Sequence, residues 1–278
     1  MITNFLIAPH PALVQFVDSY WFATSGNDRV TIEGTWPASN ETSLVFYLSD
    51  KPDEKLNGSP RQPDTNNWLV GILTRSNGNV SFHGNYKTFV IQFKANGFSK
   101  IFGQPVSEFT NRIYSTDEVF GKNASLLNEQ LLNAKSVVQM AKFADQFLLY
   151  YVSKQKAILV NDGITTIANR LHSSNPPVDV AQYADLANMS LRNFERQFCE
   201  QVGISPKLFC RLLRFNSSVQ AKIKQPGKSW TSIAHECGYY DQMHMIKDFK
   251  EFYNDTPSAF VRQNLAMQNE QFETVIRS

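Results

Sequence analysis

Ala184-Asp-Leu-Ala-Asn-Met-Ser190 and, fifty residues on, Ala234-His-Glu-Cys-Gly-Tyr-Tyr240 decide the reading of this 278-residue chain. Each stretch is followed by a new helical pattern. After one extra residue in the second copy, Arg196 aligns with Lys247, Phe198 with Phe249 and Gly203 with Asn254. Pro206-x-x-Phe209-x-Arg211 then aligns with Pro257-x-x-Phe260-x-Arg262. Self-similarity of this kind means one supersecondary unit built twice.

In the first copy Pro176-Pro177 blocks an incoming helix. Asp179 is placed to cap the next one, with Gln182 at capping-box spacing. Val180, Tyr183, Ala184 and Ala187 form one apolar stripe that stops at Asn188, a residue tolerant of the left-handed conformation. Small Ala184 lets two helices cross closely. Ser190 caps a second helix with Leu191, Phe194 and Phe198 on one side. In the second copy Ser229 caps, Ile233, Ala234 and Cys237 form the stripe, Gly238 takes the turn, and Met245 and Phe249 point inward. Between the copies Ser205 caps a longer helix with Pro206 at its first position. The apolar stripe of that helix runs through Phe209, Leu212, Leu213, Val219 and Ile223 to Gln225-Pro226-Gly227.

The unit is helix, three-residue turn, helix, and the outward residues of each second helix carry the functional expectation. At 100° per residue, Arg192, Asn193, Glu195 and Arg196 lie away from Phe194 and Phe198. Gln242, Met243, Ile246, Lys247 and Lys250 lie away from Met245 and Phe249. A helix-turn-helix inserts its second helix into the major groove and reads bases with such residues. An ordinary helical hairpin with a solvated face is the competing reading. Two copies in register, each with a cation at the matching outward place, weigh against it.

The stretch from about Ile158 to Gln263 resembles the paired helix-turn-helix domain of AraC/XylS-type transcriptional regulators. The resemblance rests on Ser190-x-x-x-Phe194-x-Arg196-x-Phe198, Gly203-x-Ser205-Pro206 and Phe209-x-x-x-x-Arg214. In the second copy it rests on Ile233-Ala234-x-x-x-Gly238-Tyr239, His244, Phe249-Lys250 and Thr256-Pro257. Asn254, Met245 and Lys247 depart from the usual Gly, aromatic and Arg. The resemblance implies seven helices, with a linker helix holding two readers one groove turn apart. It also implies a cupin-like sensor and dimerisation module at the amino terminus, a homodimer and contact with RNA polymerase.

Net charge is only +2, yet Leu186–Lys228 holds eight cations against two anions. The cations are Arg192, Arg196, Lys207, Arg211, Arg214, Lys222, Lys224 and Lys228, a candidate phosphate-binding stripe. Cys199, Cys210 and Cys237 have no paired spacing, which fits a reduced cytoplasmic protein near the nucleoid. The histidines are scattered, so no metal, cofactor or reaction is expected. His244 reads as a packed or capping residue. No leader or apolar run of membrane-spanning length is seen, so no membrane partner is expected.

Residues 1–120 read as β-rich. Strands are expected at Thr42–Leu48, Trp68–Ile72 and Thr88–Phe93, with turns at Ser49–Asp53, Leu56–Pro60 and Asn77–Asn79. Pro9–Trp21 fits either a short helix or an edge strand. Trp36, Phe46, Trp68 and Phe93 are candidate pocket residues, although such aromatics also build ordinary cores. Ser125–Lys154 reads as two helices broken near Asn133-Ala134, whose stripes either pair with a second subunit or pack on the chain's own sheet.

The expected class is α+β: a β-rich cupin-like domain (1–120), a helical connector (121–156), an all-α paired helix-turn-helix domain (157–265) and a tail (266–278). The expected function is an effector-responsive, sequence-specific regulator that binds double-stranded DNA and a small molecule. The alternative is a cupin-like ligand-binding or enzymatic domain fused to a regulatory helical module. A third reading is a helical protein-interaction module that binds no DNA.

Overall fold

A computed structural model describes residues 2–51, 53–56, 65–155, 162–173, 179–264 and 271–275. Pro176-Pro177, most of the Leu56–Pro60 turn, the expected boundary at 156/157 and the start of the tail lie outside these. The strands are β1 (Thr3–Ile7), β2 (Val17–Thr35), β3 (Ser43–Tyr47), β4 (Asp53–Leu56), β5 (Asn67–Val70), β6 (Gly78–Phe93) and β7 (Ile113–Ser115). The amino-terminal helices are α1 (Gly97–Phe102), α2 (Thr116–Phe120), α3 (Lys122–Leu132) and α4 (Val137–Lys154). They are followed by α5 (Gly163–Ser173), α6 (Val180–Leu186), α7 (Leu191–Val202), α8 (Pro206–Lys224), α9 (Trp230–Glu236), α10 (Gln242–Phe252) and α11 (Pro257–Asn264). Within the expected tail, β8 (Gln271–Val275) pairs parallel to β1.

One sheet holds all the strands in the order β7-β5-β3-β6-β2-β1-β8, with β4 added on β6. Its spine is β2 against β6, antiparallel from Val17↔Phe93 to Thr35↔Asn79, with a register shift between Thr24 and Arg29. Pro9–Trp21 therefore resolves into a single 3-10 turn at Pro11–Leu13 and the start of β2, not an edge strand.

Strand side chains alternate between faces. Tyr20, Phe22, Leu44, Phe46, Phe89, Ile91 and Phe93 share one buried face. The apolar stripes of the connector cover it: Leu127 and Leu131 from α3, and Met140, Ala141, Ala144 and Leu148 from α4. These members of the stripes thus pack on the chain's own sheet, while Leu126 and Leu132 stay exposed, and no break in the core falls at residue 120. Buried Asp145 on α4 accepts hydrogen bonds from Tyr20 Oη at 2.7 Å and His10 N at 2.9 Å, which fixes the helix to β2. The opposite face carries Val45, Tyr47, Trp68, Val70 and Val90.

Just before β3, burial and neighbouring Asp18 push the Glu41 carboxyl up from its ordinary 4.5 to about 7. An acid whose folded value lies above its unfolded one binds its proton more tightly when folded. It therefore favours folding fully below about pH 4.5 and loses that contribution as pH rises through about 7. Wild-type protein is expected to lose thermal stability relative to Glu41→Gln between pH 5 and 8. Parallel melting curves across that range would remove the assignment.

Candidate nucleic-acid interface

The two repeats fold alike down to single hydrogen bonds. In the first turn Asn188 N donates to Asp185 O at 2.9 Å, and Met189 N to Ala184 O at 2.9 Å. In the second, Gly238 N donates to His235 O at 3.1 Å, and Tyr239 N to Ala234 O at 2.9 Å. Asn188 and Gly238 are both left-handed, at φ 55° and 76°. The ends of the second helices match too: Gly203 has φ 98° and Asn254 has φ 63°. Asn254 thus fills the glycine place because Asn tolerates this conformation better than other side chains. The offset of 51 shifts the cap. The Ser190 side chain accepts from Asn193 N, while Asp241 accepts from His244 N at 2.8 Å.

Inner and outer faces separate as the spacing required, except that Leu191, expected beside Phe194 and Phe198, is at the start of α7 and 45% exposed. Phe194, Phe198, Met245 and Phe249 are fully buried, and Ala184 and Ala234 are buried where the helices cross. On α7, Arg192, Glu195 and Arg196 are exposed and Asn193 is half-buried. The Arg196 guanidinium donates to Asn193 Oδ1 at 3.0 Å and Glu200 Oε2 at 3.3 Å, so its carboxylate partner is Glu200 and not Glu195. On α10, Met243, Lys247 and Lys250 are exposed and Ile246 is half-buried. Half-buried Gln242 accepts from Thr231 Oγ1 at 2.7 Å, which ties the start of α10 to α9. Sequence reading missed Tyr240, the inserted residue, which is 84% exposed and edge-on to the His244 ring. His244 is exposed and stands 3.0 Å from Asp241, so it serves the cap and faces solvent.

The candidate basic stripe is partly structural. Arg211 donates to Asp248 Oδ1 and Glu251 Oε2, both at 2.6 Å, and its guanidinium lies over Phe252. Arg214 lies over the Tyr239 ring and donates to Gly238 O. Lys222 sits over Trp230 and donates to Lys228 O, while Lys228 pairs with Glu236. These cations clamp the second unit to the linker helix α8. Arg192, Lys207, Lys224, Lys247 and Lys250 are exposed, as is Arg196 beside its partner Glu200.

The first unit is held to the sheet domain. Thr110 Oγ1 donates to Gly203 O at 2.7 Å, Asn96 Nδ2 donates to Thr165 Oγ1 at 2.8 Å, and Lys100 pairs with Asp162. The second unit has its own anchors there: Ala38 N donates to Phe252 O at 2.8 Å, and Asn216 on α8 donates to Asn40 Oδ1.

Of the candidate pocket residues, Trp36 lines a cavity on the sheet face away from the connector helices. Phe46 and Phe93 are fully buried on the opposite face, and Trp68 is fully buried with its ring edge-on to Tyr47. Among the described residues, no group of three His, Cys, Asp or Glu stands close enough to hold a metal ion, and no helix is long and apolar enough to cross a membrane.

Residues 183–263 match the family model described as a helix-turn-helix domain, and residues 6–115 match that of a domain of unknown function, DUF6597. The carboxy-terminal domain is thus similar to the helix-turn-helix domains of AraC-type transcriptional regulators. It is 38% identical over 81 residues to an uncharacterized HTH-type transcriptional regulator of Haemophilus influenzae, covering 29% of this chain and 27% of that protein. It is 28% identical over 86 residues to the HTH-type transcriptional activator RhaS of Pectobacterium carotovorum, covering 31% and 30%. The chain thus spans under a third of the length of either relative. Among solved structures, ToxT from Vibrio cholerae aligns over 87% of this chain and 98% of its own at 13% identity and a TM-score of 0.46. The DNA-binding domain of AdpA in complex with a target DNA aligns over 40% of this chain and all of its own at 22% identity and a TM-score of 0.36.

Proposed function

We propose that the protein is a cytoplasmic, sequence-specific transcriptional regulator that lays its two readers in successive major grooves of double-stranded DNA and answers to a small effector. The observation that carries this is the doubled unit with its two exposed, cation-bearing outer faces. The two readers differ in chemistry. On α7, Arg192, Asn193, Glu195 and Arg196 present hydrogen-bonding groups suited to base edges. The α10 end presents Tyr240 and Met243, suited to thymine methyls, with Lys247 and Lys250 placed for phosphate. A homodimer and contact with RNA polymerase belong to the same reading, and exposed Leu126, Leu132 and Tyr150 on the connector offer a surface for a second subunit. The reading includes no catalysis.

Selection of bound duplexes from a random library, followed by footprinting, tests it. Protection over two groove faces about 10 bp apart is expected. Protection of a single half-turn, or no selection at any salt, would overturn it. Arg196→Ala is expected to weaken binding of the selected site about 5- to 150-fold, the range of a good bidentate base contact. Its circular dichroism should match wild type, because the side chain is 65% exposed.

A further inference from the structure

The cavity on the far sheet face has a volume of about 320 Å³ and lies between the sheet and the curled ends of β2 and β6. Among the described residues its lining carries no charged side chain; Trp21, Val45, Tyr47 and Phe82 are among the walls. Burying a charge against this described lining would leave it without a partner there at large cost, which favours a neutral occupant. The volume holds about ten water-sized groups, which sets a small ligand.

Two polar atoms in this apolar wall lack partners. The Thr88 hydroxyl, on a residue 1% exposed, and the Trp21 indole N–H are both buried without a hydrogen bond among the described residues. Buried polar groups are normally satisfied, and an indole N–H can only donate. Thr88 pairs with Tyr47 across β3 and β6, and Trp21 lies two residues along β2 from Ala23, which pairs with Thr88 on its other side. Both orphans therefore sit in one patch of wall.

The remaining wall includes Trp36-Pro37, and the next residues reach the DNA-binding domain. Ala38 N donates to Phe252 O at the end of α10, and Asn40 accepts from Asn216 of α8. A single strap of five residues touches both the cavity and the second reader.

We propose that this cavity binds a neutral, flat, mostly apolar molecule carrying a hydrogen-bond acceptor, received by Trp21 and Thr88, and that its occupancy acts on the second reader through residues 36–40. The second clause rests on the DNA-binding function proposed above; the first does not.

Calorimetric titration of the DNA-free full chain with coumarin, naphthalene and coumarin-3-carboxylate tests the site. Coumarin, which is neutral and carries a carbonyl, is expected to bind at least tenfold tighter than the other two. Thr88→Val should weaken coumarin about three- to tenfold, the range of one hydrogen bond, leave naphthalene unchanged and melt no lower than wild type without ligand. No coumarin binding at about 1 mM, a preference for the carboxylate, or equal coumarin affinity in Thr88→Val would overturn the ligand class. With a selected duplex, saturating coumarin should shift DNA affinity at least about fivefold, and saturating DNA should shift coumarin affinity by the same factor. Asn216→Ala should shrink both shifts while leaving coumarin binding to the DNA-free protein unchanged. DNA binding indifferent to coumarin would overturn the coupling alone. Failure to bind any duplex would overturn the DNA reading while the calorimetry still decides the site.

Discussion

Phe198→Ala is expected to unfold the first reader. The ring is fully buried and packs at 5.6 Å from Phe194 and 5.7 Å from Phe209, so it joins the recognition helix to the linker helix. Truncation leaves a cavity costing about 3–5 kcal/mol, a large part of the 5–15 kcal/mol that holds a typical domain together. The denaturation midpoint should fall by that equivalent, and helical signal should drop at temperatures where Arg196→Ala retains it. A midpoint within about 1 kcal/mol of wild type would show that Phe198 is not part of the packed core.

Arg211→Ala is expected to be nearly as damaging although it deletes a charged, partly exposed side chain. It strands Asp248, whose side chain is only 7% exposed. Breaking a buried pair by removing one partner costs about 3–5 kcal/mol. Glu251, more exposed, softens little of this because it is an acid too. The loss should fall on the second unit, so hydrogen exchange should accelerate across α9 and α10 more than across α6 and α7. Adding Asp248→Leu should restore much of the stability. If the single variant melts like wild type, the Arg211 cluster is only a surface contact, and Arg211 returns to the candidate phosphate-binding stripe.

The repeat was legible because its signals are local. Caps, turns and stripes lie within a few residues of one another, so Ser190, Gly238 and Pro206 could be placed without knowing the fold. The break between α3 and α4 was legible for the same reason. The sheet was less so. Only β3, most of β5 and the end of β6 showed themselves, because the outer half of β2, from Asn27 to Thr35, is mostly polar and follows a turn-like Gly26-Asn27-Asp28. Phe46 and Phe93 were drawn to a pocket by aromatic content, but strand parity sends them to the helix-covered face, and parity is fixed only once strands pair. Arg211 and Arg214 counted as a basic stripe because their partners lie 24 to 40 residues away. Tyr240 was overlooked because an inserted residue has no counterpart in the first copy.

The linker helix α8 has nineteen residues, at 1.5 Å rise each a rod of about 28 Å. It is committed to unit one through Phe209 near its start and, from two residues further on, to unit two through the Arg211, Arg214 and Lys222 contacts. Adding one residue between those commitments would swing the second reader by about 100° relative to the first. Over descent from a common ancestor, this segment should therefore accept many substitutions on its open side and almost no insertions or deletions. Changes in the spacing of the target half-sites would have to arise in some other way.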